Sequence, residues 1–154
     1  MKTRIFKVFL ISLLAALSIK TYAETVPDSF TQIVSDYIDC HINCNYKKLR
    51  TIMNDDAAFK IPRAEAVIVQ TKSDMVDQMK SNKGVKQDCQ ASFQVVAKST
   101  SLAMVRVDFE YGNCTQQNFL VLEKNADKEW KITQVYKIFN DKEPGTSPKV
   151  IANN

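Results

Sequence analysis

Residues Cys89–Phe139 read CQASFQVVAKSTSLAMVRVDFEYGNCTQQNFLVLEKNADKEWKITQVYKIF. Three polar breaks, at 98–101, 111–113 and 125–128, divide this stretch into four runs rich in Val, Ile, Phe, Tyr and Thr. Such runs are typical of β-strands, and short breaks between long strands favour antiparallel hairpins. The stretch therefore predicts a four-stranded antiparallel meander, one face of which the helical first half of the chain can cover.

The first half of the chain carries the patterns of three helices and two short strands. Pro27-Asp28-Ser29 is typical of a helix start, and apolar residues then recur at helical spacing as far as His41. The first helix should end near Cys44, and Asn45 can cap a second, shorter helix. Two strand patterns and the capped start of a third helix follow at residues 58–61, 66–69 and 71–74.

The N-terminal segment, residues 1–23, predicts export. A basic start precedes an apolar run at 8–19, and Thr21-Tyr22-Ala23 offers the small residues that a signal peptidase reads. The apolar run is too short to span a bilayer, which argues against the alternative of a membrane anchor. We therefore expect cleavage after Ala23, a periplasmic or secreted protein, and no membrane span in the mature chain.

Removal of this segment abolishes the net positive charge of the chain. Four of the 21 basic residues lie before residue 24 and none of the 17 acidic residues does, so the mature chain carries 17 of each. A balanced charge argues against a nucleic-acid partner. The remaining length suits one domain, predicted at 24–140, and the tail at 141–154 has no pattern and is expected to be disordered.

Four cysteines lie in the mature chain, and an even number in an exported protein suggests disulfides. Cys89 and Cys114 begin strands at the same end of the meander and form the first expected pair. An intervening strand would separate their Cα atoms by about 10 Å, beyond bridging distance, so this pair requires Cys114 to curl out of the turn at Gly112. Cys40–Cys44 is the second expected pair and requires the helix to unwind at Cys44. A metal site is the alternative, but a single histidine and the lack of a CxxC motif argue against it. We expect no metal and no other cofactor.

Alternation along two meander strands predicts which side chains share a face. On the second strand, Arg106, Asp108 and Glu110 alternate with apolar residues, so one face of the sheet is charged and meets water or a partner. On the last strand, strict alternation places five side chains on one face: Trp130, Ile132, Gln134, Tyr136 and Ile138.

The order helix, helix, strand, strand, helix and long meander resembles the nuclear transport factor 2-like fold. The stretch 37–45 is similar to the opening helix pair of that family, and 118–124 with 130–132 is similar to its closing strands. The resemblance covers about residues 30–139 and is greatest to the putative lumazine-binding and polyketide-cyclase-like branch. It implies an α+β cone, in which a curved antiparallel sheet wraps round three helices and forms a pocket, and a homodimer through the sheet face, as in many relatives. It implies little about function, because this fold hosts unrelated activities.

The sequence departs from the family at two places. Cys40 and Cys44 stand where the family commonly has glycine, so the backbone there can leave the helix. In the ketosteroid isomerase branch, a tyrosine and an acid form an oxyanion hole and an aspartate acts as base. Tyr37 matches the tyrosine and Asn118 falls near the acid, but Ile61 stands where the base should be. The resemblance therefore does not carry isomerase activity to this chain.

The candidate site follows from these positions. Tyr37 and His41 lie one turn apart on one helix face, and a histidine, which titrates near neutral pH, could replace the missing base. Tyr37, His41 and Asn118 together form the candidate catalytic group. The alternative is that Tyr37 is a core aromatic and His41 a boundary residue. Seven residues are expected to line a ligand pocket: Tyr37, His41, Phe59, Phe93, Asn118, Trp130 and Gln134.

Three hypotheses about function follow. The first is a non-enzymatic domain that binds a small apolar or aromatic ligand, or a protein partner. The second is a lyase or isomerase that acts on a carbonyl compound through Tyr37 and His41. The third is a homodimer through the charged sheet face of Arg106, Asp108 and Glu110. An open cavity that both Tyr37 and His41 face would favour the enzyme.

Overall fold

In the computed structural model, which describes residues 29–142, the meander forms four strands of a six-stranded sheet. The segment 1–23 and the tail beyond residue 142 lie outside the described residues. The described elements, in chain order, are α1 (Ser29–Asn43), α2 (Tyr46–Ile52), β1 (Met53–Arg63), β2 (Ala66–Thr71), α3 (Lys72–Ser81), β3 (Gln90–Lys98), β4 (Leu102–Glu110), β5 (Cys114–Lys124) and β6 (Trp130–Asp141).

The sheet is curved and mixed, in the order β2-β1-β6-β5-β4-β3, and the predicted α+β class is confirmed. The four meander strands pair antiparallel, as predicted. The hairpin β1–β2 adds to the free edge of β6, and β1 pairs with β6 in parallel. The sequence did not predict this parallel pair, because strand periodicity does not identify a strand's partner.

The helix boundaries follow the predicted capping residues. Cys44 has a φ of 50°, the left-handed conformation that glycine usually takes after a helix, so the chain leaves α1 where the sequence predicted it. The Asn45 side chain accepts a hydrogen bond from Lys48 N and caps α2. Thr71 and Asp74 form a capping box at the start of α3. These local interactions define where α1 ends and where α2 and α3 begin.

The core lies between α1, α2, α3 and the concave face of the sheet. Strands β4 and β5 present alternate side chains to it, such as Val107 and Leu120, which are fully buried. The charged residues Arg106, Asp108 and Glu110 lie on the opposite, convex face, as predicted, and form ion pairs within the chain: Arg106 with Asp108, and Glu110 with Lys142. The homodimer through this face stays a prediction.

A β-bulge in β6 changes which side chains face the core. Val121 pairs with Gln134 and Leu122 with Ile132, so Thr133 is an extra residue with no partner of its own. Strict alternation was therefore wrong beyond this point. Trp130 and Ile132 face the core before the bulge, and three residues of the other predicted face follow them after it: Val135, Lys137 and Phe139.

Because of the bulge, Val135 should contribute more to the stability of the protein than Ile138. Val135 is 0% exposed and Ile138 is 38% exposed. Val135→Ala should lower the free energy of unfolding by about 2 kcal/mol, because it removes buried methyl groups and leaves a cavity. Ile138→Ala, the matched control on the convex face, should cost less than about 1 kcal/mol. Urea denaturation measures both values; a larger cost for Ile138→Ala would mean that β6 keeps strict alternation.

Candidate functional site: a cationic cavity at the end of the cone

A cavity of about 310 Å³ opens at the end of the sheet where α1 finishes. This volume is at the lower end of the range of small-molecule sites. The walls are the end of α1, the inner side of α3, the last residues of β1 and the inward faces of β5 and β6. Ile61, which stands at the position of the isomerase base, is one of the wall residues.

The lining of this cavity is polar, and its charged members are all cationic. Lys137 and Arg63 line it, and none of the lining residues is an Asp or Glu. Arg63 lies at the mouth, with its guanidinium carbon 5.0 Å from the centre of the Phe139 ring. Carboxamide side chains, which both donate and accept hydrogen bonds, provide most of the remaining polar groups: Gln70, Gln78, Asn82, Gln87 and Gln116.

Lys137 is buried with its ammonium group at the cavity wall. It is 8% exposed. Its Nζ lies 3.7 Å from the Met75 sulfur and 4.9 Å from the centre of the Phe59 ring. Within residues 29–142, no carboxylate pairs with it. Burial disfavours the charged form and lowers the pKa of Lys137 to about 8. The amine is therefore still mainly protonated at pH 7.

His41 lines the same cavity and is held by two aromatic side chains. Its Nε2 is hydrogen-bonded to the Tyr111 hydroxyl at 2.7 Å, and its ring stacks on Phe109 at 3.8 Å. Burial, and next the positive charge of Lys137, lower the pKa of His41 to about 4. His41 is therefore neutral at pH 7, and Lys137 and Arg63 are the cationic groups of the lining.

Tyr37 and Asn118 meet, as predicted, but in the sealed core. Asn118 Nδ2 donates to the Tyr37 hydroxyl at 2.8 Å, and Gln116 Nε2 donates to Asn118 Oδ1 at 2.9 Å. Tyr37 and Asn118 are 1% and 0% exposed and do not line the cavity; Gln116 does. Burial raises the pKa of Tyr37, so its hydroxyl stays neutral. Tyr37 and His41 therefore do not face one open space.

The other four predicted pocket residues lie elsewhere. Phe59 is a core residue whose ring lies beneath Lys137. Trp130 is also a core residue and packs edge-on against Phe30. Phe93 is on the edge strand β3 and is 43% exposed. Gln134 lies on the convex face because of the bulge, where its Oε1 accepts hydrogen bonds from Lys60 and Tyr136. Of the seven predicted pocket residues, His41 alone lines the cavity.

Lys137 was not predicted as a site residue, although the sequence carries a signal for it. Lys137 alternates with Val135 and Phe139, so it shares a face with two apolar residues. A lysine on an apolar strand face is either at the edge of the sheet or buried for a reason. Strict alternation through Thr133 placed Lys137 on the face opposite Trp130 and Gln134, which were predicted to line the pocket, and so hid the signal.

Neither predicted disulfide is present, because all four cysteines are free thiols in the structure. Gln90 pairs with Glu110, and Tyr111 N donates to Cys114 O, so the chain at Tyr111 runs between Cys89 and Cys114. Two strand spacings, about 10 Å, exceed the bridging distance. The side chain of Cys40 is fully buried in the core.

Within residues 29–142, no group of His, Cys, Asp and Glu could hold a metal ion.

Comparisons with known proteins agree with this architecture. The family model described as putative lumazine-binding matches residues 26–140. An NTF-2 like protein of unknown function from Silicibacter pomeroyi superposes with a TM-score of 0.62 at 13% identity, covering 73% of this chain and 93% of that one. A ketosteroid isomerase-like protein from Erwinia carotovora atroseptica gives a TM-score of 0.55 at 18% identity, covering 70% and 90%. No curated protein matches the sequence.

Among the described helices, none has the length and apolarity needed to cross a membrane.

The buried ammonium predicts a distinctive pH dependence of stability. The pKa of Lys137 is lower in the folded protein, about 8, than its ordinary 10.5, so the unfolded chain binds more protons between these values and stability rises with pH there. Relative to Lys137→Met, the wild-type protein should gain about 1 kcal/mol per pH unit between pH 8 and 10. At pH 7 the variant should be the more stable by as much as about 3 kcal/mol, the full effect of the shift.

Urea denaturation of both proteins at each pH measures this difference. Cys40 and Tyr37, whose pKa values burial raises, destabilise both proteins alike at high pH, so their effect cancels in the comparison. A difference between the proteins that does not change with pH would show that Lys137 is solvated.

Proposed function

Because this chain belongs to the putative lumazine-binding family of nuclear transport factor 2-like proteins, we propose that it is a binding domain that holds a small planar ligand in the cavity beside His41 and Lys137. The observation that carries the proposal is the lining itself. Carboxamides suit the alternating N–H and C=O groups of a heteroaromatic ring system. Apolar side chains provide surfaces for the ring faces: Ile61, Met75, Met79 and Phe139.

The geometry favours binding over the alternative of a lyase or isomerase that uses Tyr37 and His41. A catalytic group must come within hydrogen-bond distance of the reacting atoms. The Tyr37 hydroxyl is sealed in the core with Asn118. The His41 Nε2 is engaged by Tyr111, and Ile61 has no proton acceptor. These arrangements support a domain that retains its ligand unchanged.

The N-terminal sequence supports a second part of the proposal, that the domain is exported. A basic start, an apolar run and a small-residue site precede Ala23. The domain would then bind its ligand in the periplasm or outside the cell.

Lumazine, a bicyclic heteroaromatic compound, is the first probe. Isothermal titration should show saturable 1:1 binding to the wild-type protein. Met79→Trp, which fills the cavity, should weaken binding at least about 10-fold, the effect of about 1.4 kcal/mol. Gln134→Trp, the matched control on the convex face, should leave it unchanged. Equal affinities for all three proteins would place the lumazine outside the cavity and contradict the proposal.

Export has a separate test. The intact mass of the protein from the native extracytoplasmic fraction should correspond to a chain that begins at Glu24. Replacing Ala23 with Arg should block cleavage, because a signal peptidase requires a small residue there. A full-length mass in the wild-type soluble fraction would contradict export.

A further inference from the structure

We propose that the ligand of this cavity is a small aromatic monoanion whose carboxylate lies against the Lys137 ammonium. This inference rests on the proposed function and adds the chemical class of the ligand. It depends on three observations: the charge of the lining, the unmet hydrogen-bonding capacity of Lys137, and the shape of the surrounding wall.

The charge of the lining selects against cations and favours anions. Lys137 and Arg63 are its charged members, and no acidic residue lines the cavity. His41 adds no charge, since its pKa of about 4 keeps it neutral at pH 7. Arg63 at the mouth can attract an anion from solution, and Lys137 can hold it inside. One buried ammonium is balanced by one negative charge.

Lys137 has no acceptor of the strength that its three N–H groups require. Within residues 29–142, its hydrogen-bond partner is the Met75 sulfur at 3.7 Å, a weak acceptor. A buried ammonium without an anionic partner is costly, and the cost is recovered when a partner binds. A carboxylate oxygen at the cavity wall would supply a charge-assisted hydrogen bond.

The remaining wall suits a flat apolar body. Met75 and Met79 of α3, Ile61 of β1 and Phe139 of β6 all line the cavity. Methionine side chains adapt to ring faces and edges. Gln116 stands beside Lys137 on the neighbouring strand, because Asn118 pairs with Lys137 and Gln116 with Phe139. A bicyclic aromatic acid would thus place its ring between apolar side chains and its charge at Lys137.

The test compares 2-naphthoate with its neutral isostere 2-naphthamide by isothermal titration at pH 7 and low salt. The wild-type protein should bind the carboxylate about 10-fold to 100-fold more tightly, the range for a charge-assisted hydrogen bond. Lys137→Met keeps an unbranched, mainly apolar side chain, one heavy atom shorter, without the charge. It should reduce the preference to about 2-fold or less and leave the affinity for the amide within about 3-fold.

Lys60→Met is the matched control. Lys60 lies on the convex face, where it donates to Gln134 and Tyr136, so this variant should keep the full preference for the carboxylate. A second readout locates the ligand. The chain has one histidine, so its imidazole signals in NMR belong to His41, and 2-naphthoate should shift them in the wild-type protein and in Lys60→Met.

Four results would overturn the inference, and the last of them would overturn the proposed function as well. Equal binding of naphthoate and naphthamide by the wild-type protein would leave the proposed ligand-binding function intact and remove the anion. A preference that persists in folded Lys137→Met, or naphthoate binding that leaves the His41 signals unmoved, would place the anion elsewhere. If the wild-type protein binds neither compound and also fails to bind lumazine, the proposed function fails with it.

Discussion

The position of Lys137 depends on one extra residue in β6. Side chains of a strand alternate between its two faces, so a single insertion exchanges the faces of every residue that follows. Thr133 is that residue. It turns Lys137 and Phe139 toward the cavity, and it turns Gln134 to the convex face. Without the bulge, the cavity wall would have no buried charge, and the ammonium would lie in solvent.

The surroundings of this ammonium offset part of the cost of its burial. The Nζ of Lys137 lies 4.9 Å from the centre of the Phe59 ring, and the side chain lines an open, amide-rich cavity instead of lying in closed apolar packing. The positive charge also helps keep His41 unprotonated. Three basic side chains line the cavity, but His41 is neutral and Arg63 lies at the mouth, so the interior holds one positive charge at neutral pH, that of Lys137.

Local rules gave the parts of this fold that depend on neighbours in sequence. The meander, the caps at Asn45 and Thr71, and the non-helical backbone at Cys44 all follow from residue types and spacing. The parallel pairing of β1 with β6 was not predictable in this way, because it joins segments far apart in the chain. The bulge at Thr133 was missed for a similar reason, since its position is set by the partner strand β5.

The site was predicted less well than the fold, and the same bulge is one of the reasons. His41 was found because helical spacing brought it to the end of α1, where the cavity opens. Gln134 was assigned to the interior and Lys137 was not, because alternation was counted through the extra residue. Phe93 was assigned to a wall, but β3 is an edge strand and leaves it exposed. The errors at Gln134 and Lys137 concern which face a side chain occupies, and the error at Phe93 concerns how far the covered part of the sheet extends; none concerns whether the strand exists.

Two polar groups of the interior, Asn118 and Lys137, differ in the hydrogen bonds that they can still form. This difference distinguishes a structural role from a binding role. Asn118 uses its Nδ2 for Tyr37 and its Oδ1 for Gln116, and no part of it reaches the cavity. Its role is to satisfy buried groups, which is what a stable core requires. Lys137, on the neighbouring strand and in register with Asn118, has a sulfur and a ring as its partners. A satisfied core polar group has little to gain from a ligand. An unsatisfied ammonium at a cavity wall gains a full charge-assisted hydrogen bond, so the binding energy of this site should be concentrated at Lys137.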